Sequence, residues 1–318
     1  MTSKSVWRAG RRAAAVGTGL AAAGLAYSTG VEVRSFRLRR VEVPILSSGS
    51  WPVRVLHISD VHLVPSQHRK RDWIRALAGL EPDLVINTGD NIAHEAAVEP
   101  FLQSLGPLLD KPGAFVFGSN DYHSPEPKNP ARYLYAEDRL RPEPPPDLPW
   151  KDLRDALVGS GWVDLTNDRG VIDIVGQRLR LVGVDDPHLG HDRFPAPSGG
   201  GGAADHGHRH GHGRRDGELH VGVTHAPYLR VLDDMVDDGC EMLFAGHTHG
   251  GQLCVPGYGA LVTNCDLDRG RVKGLSRHPL GSSSGAWLHV SAGLGTSPYA
   301  PVRFACPPEA TLLTLVER

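Results

Sequence analysis

Five short, mostly apolar runs in this chain each end on residues that ligate metals: "VRVLHISDVH" (53–62), "DLVINTGDN" (83–91), "GAFVFGSND" (113–121), "ELHVGVTHAP" (218–227) and "CEMLFAGHTHG" (240–250). Runs so short and so apolar have little polar face to offer water. They read as strands buried on both sides, and that requires a sheet covered on each face. Helical stretches lie between them: "KRDWIRALAGL" (70–80), halted near Glu81-Pro82, then 95–109, 151–158 and 227–237. Short strands are expected around 163–167, 171–175 and 178–184, with "AWLHVSAG" and "ATLLTLVE" closing the chain. The pattern predicts an α/β fold of two stacked mixed β-sheets flanked by helices, with chemistry gathered at the carboxyl ends of strands.

Composition narrows the function classes. Lys plus Arg number 34 against 36 Asp plus Glu, so the chain as a whole has no basic excess for nucleic acid. Cys240, Cys254, Cys265 and Cys306 show no C-x-x-C spacing; they read as small core residues rather than a disulfide framework or thiolate zinc site. Residues 1–40 form a basic N-terminal segment in which Lys4, Arg8, Arg11 and Arg12 precede 19 uncharged residues, Ala13 to Val31. A membrane anchor is expected there, with a cleaved signal (and so secretion) or a free tail as alternatives; the side of the membrane is open. The main domain is expected over 41–318, interrupted by a proline-rich irregular insertion at 122–149 and a His/Gly-rich loop at 196–217. Tyr122, Tyr133 and Tyr135 of the insertion offer apolar contact to a substrate. His206, His208, His210 and His212 could hold a loose metal ion, but low-complexity sequence fixes no geometry for one.

The strand-end residues make a consistent set: Asp60 and His62, Asp90, Ser119 with Asn120 and Asp121, His225, and His247 with His249. Two divalent ions roughly 3.5–4 Å apart need several anionic or neutral donors and one carboxylate able to bridge them. Neutral imidazole suits Zn, Fe or Mn, and Asp suits the bridge. Gly89 and Gly246 would let the backbone turn sharply beside the ligands. Such an ion pair supplies hydroxide near neutral pH for in-line attack at phosphorus.

The series D-x-H, G-D, G-S-N-D, T-H-A-P, G-H-T-H resembles that of the calcineurin-like metallophosphoesterases, over about residues 52–318, and is closest to a bacterial subgroup with an N-terminal membrane segment. The resemblance implies a four-layer α/β/β/α sandwich. It also implies one metal held by Asp60, His62, Asp90 and His249, and a second by Asp90, His225, His247 and an amide oxygen. The third motif departs from the family's G-N-H-[DE]: Gly118 is followed by Ser119 and Asn120. Either Ser119 takes the ligand position or the loop shifts so that Asn120 reaches the metal. Asn120 is expected, because a carboxamide oxygen is the better donor. The family's histidine, which assists the leaving group, is absent, and His123 is the candidate substitute. The implied activity is hydrolysis of a phosphomonoester, phosphodiester or pyrophosphate, with a lipid-linked or nucleotide-sugar substrate among the candidates. A catalytically weak metal-binding scaffold is the alternative, and a metal chaperone built on the histidine loop a third. Oligomeric state is open.

Overall fold

Burial on both faces is what the strand runs demand, and the structure supplies it by stacking two sheets and covering their outer faces with helices. The computed structural model describes residues 3–127, 144–196 and 218–318, with the side chains of its first helix described from residue 15 onward. Tyr133, Tyr135 and most of the proline-rich insertion lie outside the described residues, as do all but residue 196 of the His/Gly-rich loop, including His206, His208, His210 and His212.

In chain order the first half contains α1 (Ser3–Ala26), β1 (Arg37–Leu46), β2 (Val53–Ile58), α2 (His68–Ala76), β3 (Leu84–Asn87), α3 (Val98–Leu105), β4 (Gly113–Phe115), α4 (Ser119–Tyr122) and α5 (Trp150–Gly159). The remainder contains β5 (Val163–Asp164), β6 (Arg169–Ile174), β7 (Gln177–Gly183), β8 (Glu218–Val223), α6 (Leu229–Asp237), β9 (Met242–Ala245), β10 (Cys254–Val255), β11 (Gly259–Ala260), β12 (Gly274–His278), β13 (Ala286–Val290) and β14 (Glu309–Glu317). One six-stranded sheet has the order β1-β14-β2-β3-β4-β5 and the other β12-β13-β9-β8-β7-β6, while β10 and β11 form a separate hairpin.

Alternation along β2 shows how the layers are built. Val53 and Val55 join a core with Leu181, Val221 and Phe244 of the second sheet, whereas Leu56 and Ile58 pack outward with Ile74, Phe101 and Leu157 of the helices. The second sheet does the same: Leu243 and Leu288 face α6 through Val231, Leu232 and Met235. The expected helix–sheet–sheet–helix stack is therefore present. Strands β2, β3 and β4 run parallel, as do β7, β8 and β9, so the carboxyl ends within each set fall together.

Several expectations change. The proposed boundary at residue 40 falls inside β1, which pairs in parallel with β14 from Arg37↔Glu309 onward. The helix expected over 95–109 breaks at Gly106, whose φ of +48° precedes Pro107, and continues only as a tight turn. The uncharged N-terminal stretch is helical in α1, yet among the described residues no helix is long and apolar enough to cross a membrane, so the expected spanning anchor finds no support. All four cysteines are free; Cys240, Cys254 and Cys306 are buried and Cys265 half-buried.

Phe244 sits in the inter-sheet core, its ring 5.2 Å from that of His57. Phe244→Ala should lower unfolding free energy by about 3–5 kcal/mol, read by chemical denaturation. A loss under about 1 kcal/mol would mean that the two sheets do not share one packed layer.

Candidate metal centre

The candidate ligands leave their strands through a backbone that L-residues avoid. Asp60, His62, Asp90, His247 and His249 have φ of 49°, 43°, 56°, 67° and 50°. Left-handed backbone costs roughly 1–2 kcal/mol per residue, and such strain gathers where side chains must converge. It is held by cross-loop hydrogen bonds: Asp60 N to Gly89 O at 2.9 Å and His62 N to Asp90 O at 2.9 Å. His247 N donates to both Asp60 oxygens at 3.0 and 3.1 Å. Two glycines permit the approach. A Cβ on Gly246 would lie 2.0 Å from Ser59 Oγ, and one on Gly89, at φ +87°, 2.5 Å from Gly118 N.

Donor atoms of Asp60, His62, Asp90 and His249 lie within 4.8 Å of one another, and all four residues are buried. His62 Nε2 is 3.3 Å from His249 Nε2 and 3.4 Å from Asp90 Oδ2. His249 Nδ1 lies 3.2 Å from the Gly295 carbonyl. The Arg303 guanidinium reaches the same Nδ1 at 3.4 Å, so one ring nitrogen is held by the surrounding loops while Nε2 faces the cluster.

The opposite flank of Asp90 holds the remaining candidates. His225 Nδ1 donates to Thr88 O at 2.6 Å, while its Nε2 faces Asp90 Oδ1 at 3.6 Å, beyond hydrogen-bond reach. That nitrogen is buried without a hydrogen-bond partner, as is His62 Nδ1. A buried, unpartnered imidazole nitrogen beside a carboxylate fits a cation once its proton is displaced. The His247 ring lies 5.2 Å from that of His225. Asn120 donates to Asp90 twice, from its backbone N to Oδ1 at 2.8 Å and from Nδ2 to Oδ2 at 2.9 Å. Ser119 Oγ is 3.3 Å from Asn120 Nδ2. Asp121 binds backbone instead. Its carboxylate accepts from the N–H groups of Asp90, Asn91 and Gly118, at 2.8, 2.8 and 3.0 Å, and so locks the second and third loops together.

Electrostatics favour neutral imidazoles at His62, His247 and His249. Burial holds His62 down at about 4 and pushes His247 and His249 well below the ordinary imidazole range. Burial lifts Asp60 to about 6. For Asp90 burial acts upward too, but His225 and His62 outweigh it and draw the carboxyl below its usual range. Burial would lower His225, yet the charges of Asp90, Asp186 and Asp60 hold it up at about 9.

Sequence reading missed several groups around the centre. His188 follows β7 in "VDDPHLG"; its ring lies 4.7 Å from that of His247, and its Nδ1 is 3.2 Å from Tyr228 Oη. The signal was available, since this loop also leaves a strand end. A buried relay stands behind Asp60: Ser59 Oγ donates to Asp60 Oδ2 at 2.5 Å, Thr88 Oγ1 to Ser59 Oγ at 2.7 Å, and His57 joins Thr88 to His289 at 3.0 and 2.8 Å. The His123 ring lies 6.4 Å from that of Tyr122.

A metal on His225 Nε2 must displace the proton that the metal-free chain holds there up to about pH 9. Proton and ion compete, so metal affinity should rise with pH up to that value and flatten above it. Calorimetric titration with Mn²⁺ or Zn²⁺ near pH 7.5, in buffers of different ionisation enthalpy, should show release of about one proton per chain. Binding with no proton release would contradict the assignment of His225.

The calcineurin-like phosphoesterase family matches residues 53–251, a stretch that contains every candidate ligand. The metallophosphoesterase YkoQ of Bacillus subtilis (strain 168) is 25% identical over 264 residues, covering 81% of this chain and 82% of its own. The phosphodiesterase YaeI of Escherichia coli (strain K12) is 25% identical over 300 residues, covering 92% and 93%. The metallophosphoesterase YkuE of B. subtilis is 23% identical over 286 residues, covering 86% and 83%. With a buried Asp/His cluster at the strand ends and the family matched across most of the domain, the chain belongs to the calcineurin-like phosphoesterases and is a hydrolase acting on phosphoester bonds.

Proposed function

We propose that the chain hydrolyses a phosphodiester, or a related phosphomonoester or pyrophosphate, at a centre of two divalent ions (Mn, Fe or Zn) that share Asp90. Asp60, His62 and His249 would complete one ion's protein ligands; His225, His247 and the Asn120 amide oxygen would complete the other's. The observation that carries the reading is His225 Nε2, buried without a partner and aimed at Asp90 Oδ1 from 3.6 Å. Bound there, the ions supply Lewis acidity toward phosphate oxygens and acidify a water. The chain's own work is positional. The Asn120 N–H and the Asp121 clamp fix Asp90, and the Ser59 hydroxyl fixes the rotamer of Asp60. His188, an exposed imidazole resting on His247, is better placed than His123 to steady a phosphate oxygen.

An apolar rim supports a substrate with an apolar portion, presented at a lipid surface. Just after the metal loop Leu253, Val255, Tyr258, Leu261 and Val262 are each at least 40% exposed. Leu253 bridges to Phe304, whose ring meets Tyr27 at the end of α1 at 6.4 Å. Val16, Leu20 and Leu25 of α1 are also exposed. A helix of this kind would lie on a surface rather than cross it. The likeness to a phosphodiesterase favours a diester among the three substrate classes.

One observation favours the scaffold reading: Asn120 stands in the motif where the family carries an imidazole. Turnover of bis(4-nitrophenyl) phosphate with and without Mn²⁺ separates the two. The enzyme reading predicts metal-dependent turnover, cut on the order of 10²-fold by Asn120→Ala and within about threefold of wild type for Ser119→Ala. Metal-loaded protein without turnover would favour the scaffold. A crippling Ser119→Ala beside a tolerated Asn120→Ala would put Ser119, not Asn120, on the metal.

A further inference from the structure

Two cysteines that the hydrolytic chemistry does not use sit under the metal loop. Cys254 opens β10, and its backbone N donates to Phe304 O at 2.8 Å, which draws it beside the segment carrying Cys306. Both thiols donate to the backbone of the metal loop. They also converge on one carbonyl: Cys254 Sγ lies 3.3 Å and Cys306 Sγ 3.4 Å from Gly250 O, with Cys306 Sγ also 3.4 Å from His249 O. Lys273 Nζ donates to Cys306 Sγ at 3.4 Å. Both residues are at least nine-tenths buried. Gly250 has no slack here, because a Cβ on it would lie 2.7 Å from Cys306 Sγ. The sulfurs are therefore the floor on which the backbone of His249 and Gly250 rests.

We propose that Cys254 and Cys306 form a thiol–disulfide pair that controls the His249 loop. A hydroperoxide is the oxidant. The Cys306 sulfur attacks one peroxide oxygen, the O–O bond breaks, and water leaves, giving a sulfenic acid. The Cys254 sulfur then attacks that sulfur; the S–S bond forms, the S–O bond breaks, and a second water leaves. Two thiols and one hydrogen peroxide become one disulfide and two waters; the sulfurs lose two electrons and the peroxide gains them. A disulfide sulfur has no hydrogen to donate, so the Gly250 and His249 carbonyls lose their S–H partners. Sulfurs drawn to about 2.05 Å also leave their van der Waals positions under Gly250. In consequence, the backbone of His249 and Gly250 loses part of its support, while the Gly295 and Arg303 contacts to His249 remain. This last step rests on His249 being a metal ligand; formation of the cross-link does not.

The test uses the metal-loaded full chain treated with hydrogen peroxide, then alkylated and digested. Peptide mass spectrometry should find Cys254 joined to Cys306, with Cys240 still alkylated as a thiol. Metal content should fall by about one ion per chain and aryl phosphodiester turnover by at least about tenfold, both restored by a reductant. Cys254→Ser, which retains a hydroxyl donor toward Gly250, should resist the loss. Should that variant fold poorly, the cross-link and its reversal in the wild-type chain decide alone. Peroxide treatment that oxidises the chain without joining these two residues would overturn the proposal. So would a joined pair that leaves metal content and turnover unchanged. Untreated protein that never takes up metal would instead count against the metal centre itself.

Discussion

Asp90 presents an electrostatic problem that the rest of the centre answers. It is buried within a few ångströms of Asp60, His62, His225 and His249, and Asp60 is a carboxylate as well. Two carboxylates away from water carry a large solvation cost unless cations compensate them. Within this cluster the metal-free chain offers protonated His225, held charged by the acids around it. His62, His247 and His249 stay neutral because burial penalises their charged forms. The balance is two buried carboxylates facing one charged and three neutral imidazoles, an arrangement that suits divalent ions once the His225 proton leaves.

Holding such a hollow open is the work of the sandwich. Parallel strands of each sheet bring loops to a common end, and five ligand candidates reach the centre through left-handed backbone that an isolated loop would relax. Asp121 is central to this through the backbone, since its three bonds join the loop after β3 to the loop after β4. The relay from Asp60 through Ser59, Thr88, His57 and His289 continues the restraint into the layer between the sheets. His57 and His289 are fully buried, and burial holds His57 well below the ordinary imidazole range and His289 down at about 3; their role is shape and hydrogen bonding.

The candidate ligands were legible in the sequence because metal chemistry restricts residue type and the fold restricts position: Asp60, Asp90, His225 and His249 all follow apolar strands closely. Two of the strands that the sequence reading did not expect, β1 and β12, were missed for a common reason. β1 and β12 are edge strands with mixed burial, so their residues, Arg37, Arg39 and Arg40 among them, alternate too weakly to separate them from loop. His57 and His289 looked like ordinary positions within apolar strands, and only their meeting across the sandwich shows what they do. His188 was passed over although its loop also follows a strand. The cysteine pair could not be read at all, since Cys254 and Cys306 are brought together by the bridge between Leu253 and Phe304, a contact distant in sequence.

The central claim is that two ions share Asp90. A crystal structure of the Mn²⁺-loaded chain, with anomalous scattering measured at the manganese edge, addresses it directly. Two peaks roughly 3.5–4 Å apart are expected, with Asp90 between them. One peak should touch Asp60, His62 and His249, and the other His225, His247 and Asn120. A single peak, or two that leave His225 Nε2 without a metal, would contradict the claim.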